Sequence, residues 1–172
     1  MMMVTPPTFL LLGYGNPGRL DDGLGPALAA GLEEHAGEGL TIDADYQLMV
    51  EDAKLVAEHD VVIFADAAVD GPEPFYLRPL EPKAQYSFST HSVEPAAVLG
   101  LAHELFAAHT RGYILGIRGY CFNDFGETLS PAARRNLEAA HAFIEDILRR
   151  RDSAALEAHI GREHQGDAPV TS

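Results

Sequence analysis

Three short polar segments of the chain carry side chains able to hold a metal ion or move a proton: the pair Asp21-Asp22, the single Asp66, and His91. The pair follows Gly13-Tyr14-Gly15-Asn16-Pro17-Gly18, a G-x-G-x-x-G pattern behind an apolar run, which ordinarily suggests a dinucleotide site. That reading fails on what comes next. In a dinucleotide fold the last glycine opens a helix whose free N–H groups receive the pyrophosphate. Here Arg19-Leu20-Asp21-Asp22 intervenes, and two carboxylates at the mouth would repel a phosphate. An aspartate pair at a helix start has another use: one carboxylate caps the helix while the other, favoured by the dipole, stays ionised and projects into a cleft. The plainer alternative is that both cap.

Asp66 follows the buried-looking run Val61 to Ala65, at the expected carboxyl end of a central strand, where open α/β sheets place their ligands. His91 lies in Ser89-Thr90-His91-Ser92, a polar loop before a helix, and so on the same expected edge. The remaining histidines fall at helix ends (His35, His59, His109), within helices (His103, His141) or near the tail (His159, His164). Two carboxylates and one imidazole from three loops suit a borderline divalent ion such as nickel, zinc, iron or manganese with positions left open. The single cysteine, Cys121, cannot form an internal disulfide and has no Cys-x-x-Cys partner for a structural zinc. It is expected to be a small buried side chain rather than a nucleophile.

These segments need a scaffold, and the apolar periodicity supplies one. Thr8 to Gly13 reads as a strand, Asp22 to His35 as a helix through Leu24, Leu28 and Leu32, and Leu40 to Tyr46 as a second strand. Val50 to Glu58 follows as a helix, and Asp60 to Ala65 as a strand apolar on both faces, as in a parallel sheet. Gly71 to Pro82 holds four prolines and permits only a short edge strand around Phe75 to Arg78. Ser92-Val93-Glu94-Pro95 opens a helix to about Ala108 that buries Val98, Leu101 and Leu105. Arg111 to Tyr120 is a further strand, and Ser130-Pro131 starts a long helix with Leu137, Ile144, Ile147 and Leu148 on its inner face. Alternating strands and helices indicate an α/β layer fold. A single domain is expected over residues 1–152, with 153–172 a polar, mobile tail, above all Gly161 to Ser172.

The 172 residues are 47% hydrophobic and 22% charged, an ordinary globular composition. Apolar runs such as Phe9 to Leu12 are far too short to span a bilayer, and the amino terminus lacks the basic flank and apolar stretch of a secretory signal, so no membrane insertion is expected and the chain reads as cytoplasmic. A net charge of −14 disfavours nucleic acid, whose binding depends on cationic groups releasing counterions. The one basic cluster, Arg149 to Arg151, closes a helix, where it complements the dipole.

The chain resembles the hydrogenase maturation endopeptidases, which remove a carboxy-terminal extension from the large subunit of nickel-iron hydrogenases. The resemblance rests on Leu11-Leu12-Gly13-Tyr14-Gly15-Asn16 leading to Asp21-Asp22-Gly23-Leu24-Gly25, on Phe64-Ala65-Asp66-Ala67, on Ser89-Thr90-His91, and on Gly116-Ile117-Arg118-Gly119-Tyr120 with Leu129-Ser130-Pro131 behind it. It covers about residues 8 to 150, in the family's order. It implies a three-layer α/β sandwich of the phosphorylase/hydrolase-like kind, a twisted, mostly parallel sheet between helices. It also implies Asp22, Asp66 and His91 as metal-binding and catalytic residues of an aspartic-type endopeptidase. The implied partner is a hydrogenase large-subunit precursor that itself brings the nickel, although another divalent ion could occupy the isolated protein. Cys121-Phe122-Asn123-Asp124-Phe125 departs from the more acidic stretch expected there, which bears on partner choice.

Two alternatives stay open at this level. Peptidyl-tRNA hydrolases share the fold and a Gly-x-Gly-Asn-Pro-Gly loop, but the negative charge and the Arg19-Leu20-Asp21-Asp22-Gly23 continuation disfavour them. A non-catalytic metal-sensing assembly factor would use the same three ligands without hydrolysis. No Gly-x-Ser-x-Gly elbow or His-Glu-x-x-His helix is present, so either a held metal polarises the scissile carbonyl or bound water, or the metal only docks the substrate and a carboxylate activates water.

Overall fold

The computed structural model describes residues 4–84 and 93–166. Five strands form one sheet in the order β2-β1-β3-β5-β4: β1 (Phe9–Tyr14), β2 (Leu40–Asp45), β3 (Val61–Ala68), β4 (Phe75–Leu80) and β5 (Arg111–Arg118). β2, β1, β3 and β5 run parallel, and β4 closes one edge antiparallel to β5. The helices are α1 (Leu24–Leu32), α2 (Asp52–Ala57), α3 (Pro95–Phe106), α4 (Pro131–Arg150) and α5 (Ser153–Gly166).

Strand alternation divides the core in two. Phe9 and Leu11 of β1 with Val61, Ile63 and Ala65 of β3 pack against α1, α4 and α5. Leu10, Leu12, Val62 and Phe64 face the other way, onto α2 and α3. This is the three-layer sandwich, and because the central strands are apolar on both faces their sequences run without polar interruption from Phe9 to Leu12 and from Val61 to Ala65. From β1 the chain passes through α1 to β2 on one side, then through α2 to β3 on the opposite side of β1. The order therefore reverses between β1 and β3, and such a switch point opens a crevice at the carboxyl ends of the two strands.

Close backbone approach fixes α1 there. A Cβ on Gly13 would lie 2.3 Å from the Gly25 carbonyl oxygen, so the end of β1 and the start of α1 touch through bare glycines. That contact, and not a cofactor, accounts for the first glycine of the loop pattern.

Several elements differ from the sequence expectations. β3 continues past Ala65 to Ala68, so Asp66 lies within the strand, paired with Gly116 of β5, and not beyond its end. The edge strand β4 extends to Leu80, tolerating Pro79 because only one of its sides needs hydrogen bonds. Leu105 is 64% exposed, since α3 ends one residue later at Phe106 and turns off through Ala107 in a left-handed conformation. The expected cap Ser92 lies outside the described residues, and α3 is entered through extended Glu94 with Pro95 in its first turn. Cys121 is exposed and not buried, because the chain has left β5 and crosses the surface.

The largest difference is at the carboxyl end. Residues 153–166 form α5 instead of a mobile tail, and Leu156 and Ile160, spaced i, i+4, are buried in the α1/α4 core. His159 packs its ring 4.5 Å from Phe143 and 6.1 Å from Phe75, tying α5 to α4 and β4. Residues 167–172 lie outside the described range.

This placement makes Leu156 a core residue. Leu156→Ala should lower unfolding stability by about 2–5 kcal/mol in denaturant titration, the range for a leucine whose removal leaves a cavity. An effect below about 0.5 kcal/mol would mean that α5 does not pack in solution.

Candidate active site

The two adjacent aspartates of the first loop have separate tasks. Asp21 is fully buried and points away from the crevice. Its Oδ1 accepts the Ser130 amide at 2.8 Å, and its Oδ2 accepts the Tyr120 amide at 2.8 Å, the Cys121 amide at 2.9 Å and the Ser130 hydroxyl at 2.7 Å. Ser130 in turn caps α4 by accepting the Ala133 amide at 3.3 Å. Neither aspartate caps its own helix, in contrast to the capping expected from sequence. Burial alone would raise the Asp21 pKa, but the donors from Ser130, Cys121 and Tyr120 outweigh it and hold the carboxyl below its ordinary value.

Asp22, one residue on, faces the other way. Its Oδ2 accepts the Asn16 amide at 2.8 Å, while Asn16 Oδ1 accepts the Gly18 amide at 2.8 Å, closing the loop on itself. Gly15 (φ +141°) permits this, since a Cβ there would meet the Asp22 carbonyl oxygen at 2.2 Å. The loop is pinned from outside as well: the Asp21 amide donates to the Cys121 carbonyl at 3.0 Å and the Leu20 amide to the Gly126 carbonyl at 2.8 Å. Leu20 adopts φ +53°, a left-handed conformation that costs a non-glycine residue about 1–3 kcal/mol and persists because both neighbours are clamped.

Asp22 and Asp66 line one cleft of about 520 Å³ at the carboxyl edge of the sheet, together with Tyr14, Arg19, Tyr46 and Glu94. Register explains the meeting: Gly13 pairs with Ala65, which sets Tyr14 beside Asp66, and Asp66 pairs through Gly116 with Tyr76. The Tyr14 hydroxyl bonds to Asp66, and the Ala67 amide donates to Asp66 Oδ1 at 2.8 Å. Burial drives the Asp66 pKa up to about 6 despite those two bonds, and the Asp22 charge adds to the rise. Tyr14 is pushed far above its ordinary value by burial first and then by the Asp66 carboxylate. Tyr76 is raised too, by burial and by the Asp66 and Asp70 charges, against the pull of Arg78.

A carboxyl that titrates near neutrality beside a second carboxylate can accept a proton and return it. As donors, the two aspartates offer hard oxygen ligands to a cation. Among the described residues no group of three His, Cys, Asp or Glu side chains is placed to hold a metal ion. His91 lies outside the described residues. Val93, two residues later, lines the same cleft and donates its amide to the Leu48 carbonyl at 3.3 Å. Tyr14 and Tyr76 were not singled out from sequence; the signal for Tyr14 was its position at the end of β1, one strand from Asp66.

The same substitution should therefore act with opposite sign at buried Asp21 and half-buried Asp66. Asp21→Asn turns an amide NH₂ toward donors and should cost about 2–4 kcal/mol of stability. For Asp66, the folded pKa of about 6 lies above the ordinary 3.8, so between those values the folded state binds more protons and stability falls as pH rises. Asp66→Asn should consequently stabilise the protein above pH 6, by an amount on the order of 1–3 kcal/mol, with the gain vanishing toward pH 4. Chemical denaturation across that pH range checks both, and a destabilised Asp66→Asn at pH 7 would refute the assignment.

No protein-family model matches the sequence, and no curated protein matches it. Solved structures do. The NiFe hydrogenase maturation protease HycI from Thermococcus kodakarensis is 22% identical, with a TM-score of 0.65 over 83% of this chain and 92% of that one. The hydrogenase maturating endopeptidase HybD from E. coli is 20% identical, with a TM-score of 0.60 over 83% of this chain and 92% of that one. A hydrogenase 2 maturation peptidase from a Thaumarchaeota archaeon is 19% identical, with a TM-score of 0.59 over 82% and 97%. The chain has the fold of the hydrogenase maturation proteases.

Proposed function

We propose that this protein is an endopeptidase that removes the carboxy-terminal extension from the nickel-loaded large-subunit precursor of a nickel-iron hydrogenase. The observation that carries the reading is the cleft at the β1/β3 switch point, where Asp22 and Asp66 face one space in a fold shared with maturation proteases across more than four-fifths of the chain. We assign Asp22, Asp66 and His91 to the precursor's nickel, which is substrate cargo and not a resident cofactor. Two aspartate oxygens and an imidazole are ligands suited to such a borderline ion. Seating the ion there fixes the scissile bond over the cleft, and bound nickel supplies Lewis-acid polarisation. Asp66, aimed by Tyr14, has two carboxylate oxygens, so that one can meet the ion while the other takes the proton of the attacking water and returns it to the leaving amine, which makes the chemistry aspartic-type. We place the reaction in the cytoplasm. No helix among the described residues is long and apolar enough to cross a membrane, and the −14 net charge speaks against a nucleic-acid substrate.

Incubation with nickel-loaded and nickel-free precursor, read as the mass of the large subunit, tests the proposal. The loaded form should be shortened and the nickel-free form left intact. Asp22→Asn and His91→Ala should fold, by thermal melting, and lose processing. Leu101→Ala, in the α3 core, should lose about 2–5 kcal/mol of stability yet process normally per folded molecule. His91→Ala that folds and processes at the unmodified rate removes His91 from the site.

A further inference from the structure

The cleft is acidic, with Asp22, Asp66 and Glu94, and among its described lining residues Arg19 alone is cationic. Each of those carboxylates already has a partner. Asp22 holds the Asn16 amide, Asp66 is bonded to Tyr14 and Ala67, and Glu94 pairs with Lys83 at 3.7 Å. Arg19 pairs with no carboxylate among the described residues, although Asp22 is three positions away. Its guanidinium instead lies 5.5 Å from the centroid of the Phe125 ring, a ring 79% exposed.

Backbone bonds keep it there. The Arg19 amide donates to the Asn16 carbonyl at 3.0 Å, its carbonyl accepts the Asp22 amide at 3.1 Å, and Arg19 forms a β-bridge with Gly126, next to Phe125. A guanidinium supported on an aromatic face keeps its planar fork of N–H donors open at its edge, and that fork matches a carboxylate in bidentate geometry.

We propose that Arg19, laid on Phe125 at the wall of the cleft, is a specificity subsite that takes a carboxylate of the bound peptide, either an acidic side chain of the extension or its terminal carboxylate. The inference rests on the endopeptidase reading and adds the chemical class of the segment recognised. With Asp22 and Asp66 taken up by the ion, Arg19 is the group among the described lining residues left to take a carboxylate, and the cut bond is set in register between these two attachments.

The test uses the full chain and its Arg19→Gln variant. The probes are the nickel-loaded precursor and three synthetic peptides of its extension: unmodified, carboxy-terminally amidated, and with Asp and Glu changed to Asn and Gln. Arg19→Gln should weaken calorimetric binding of the unmodified peptide about tenfold and raise KM for the precursor by a similar factor, with kcat nearly unchanged. One neutralised peptide should lose the same factor against the unmodified protein and nothing further against Arg19→Gln, and which peptide it is names the source of the carboxylate. Equal binding of all three peptides, or no detectable peptide binding, overturns the inference. So does a variant with unchanged KM and a shifted pH profile of kcat, the signature of a mere counter-charge to Asp66. Binding does not require cleavage. A protein that discriminates the peptides but cuts no precursor therefore refutes the peptidase reading, while one that cuts without discriminating refutes the subsite.

Discussion

Asp21 accepts three backbone amides and one hydroxyl from a segment a hundred residues away, and the geometry of the cleft depends on that clasp. With the Asp21 carboxylate buried among donors from Tyr120, Cys121 and Ser130, the loop is tied both to the exit of β5 and to the cap of α4. Charged acceptors make stronger hydrogen bonds than neutral ones, and four donors offset the desolvation that an unpartnered carboxylate would suffer. The same clasp keeps Leu20 in its left-handed conformation, which turns the chain so that consecutive aspartates point to opposite sides.

Asp21 and Asp66 thus have different chemistry because their surroundings differ. Asp21 is saturated with donors and held ionised. Asp66, close to Asp22 across the cleft, is half-buried with only a tyrosine hydroxyl and one amide, so its proton affinity rises into the range useful for acid–base work. The β1/β3 switch point supplies the crevice, the register supplies Tyr14 and Tyr76, and the glycine contact between Gly13 and Gly25 lets the loop approach the strand ends closely enough for Asp22 to reach the same space.

Much of this was legible in the residues. Buried parallel strands carry continuous apolar runs, so Phe9 to Leu12 and Val61 to Ala65 stood out, and Ser130-Pro131 was a helix start on capping chemistry alone. The Asp-Asp pair was visible, and the family resemblance picked Asp22 as its site member, which does line the cleft; residue types alone could not choose, because the partners of Asp21 lie about a hundred positions along the chain. α5 escaped for a related reason: its inner face has only Leu156 and Ile160 as large apolar residues, too few for a period to emerge from polar surroundings until β4 and α4 supply the complementary surface. Leu105 and Cys121 misled because side-chain type sets a preference for burial while the local direction of the chain decides it.

The two rims of the sheet have different defences against pairing with a further strand. β4 presents Pro79, which lacks an N–H, and has α5 packed beside it. β2, the outermost parallel strand, has no such cover from α5 and instead ends on Asp43 and Asp45, with Asp52 opening the helix that follows. Charge on an edge strand opposes the docking of a second identical edge, since like carboxylates would be brought into register. The excess of acidic residues therefore helps keep copies of this sheet from adding to one another while the cleft stays accessible at the ends of the strands.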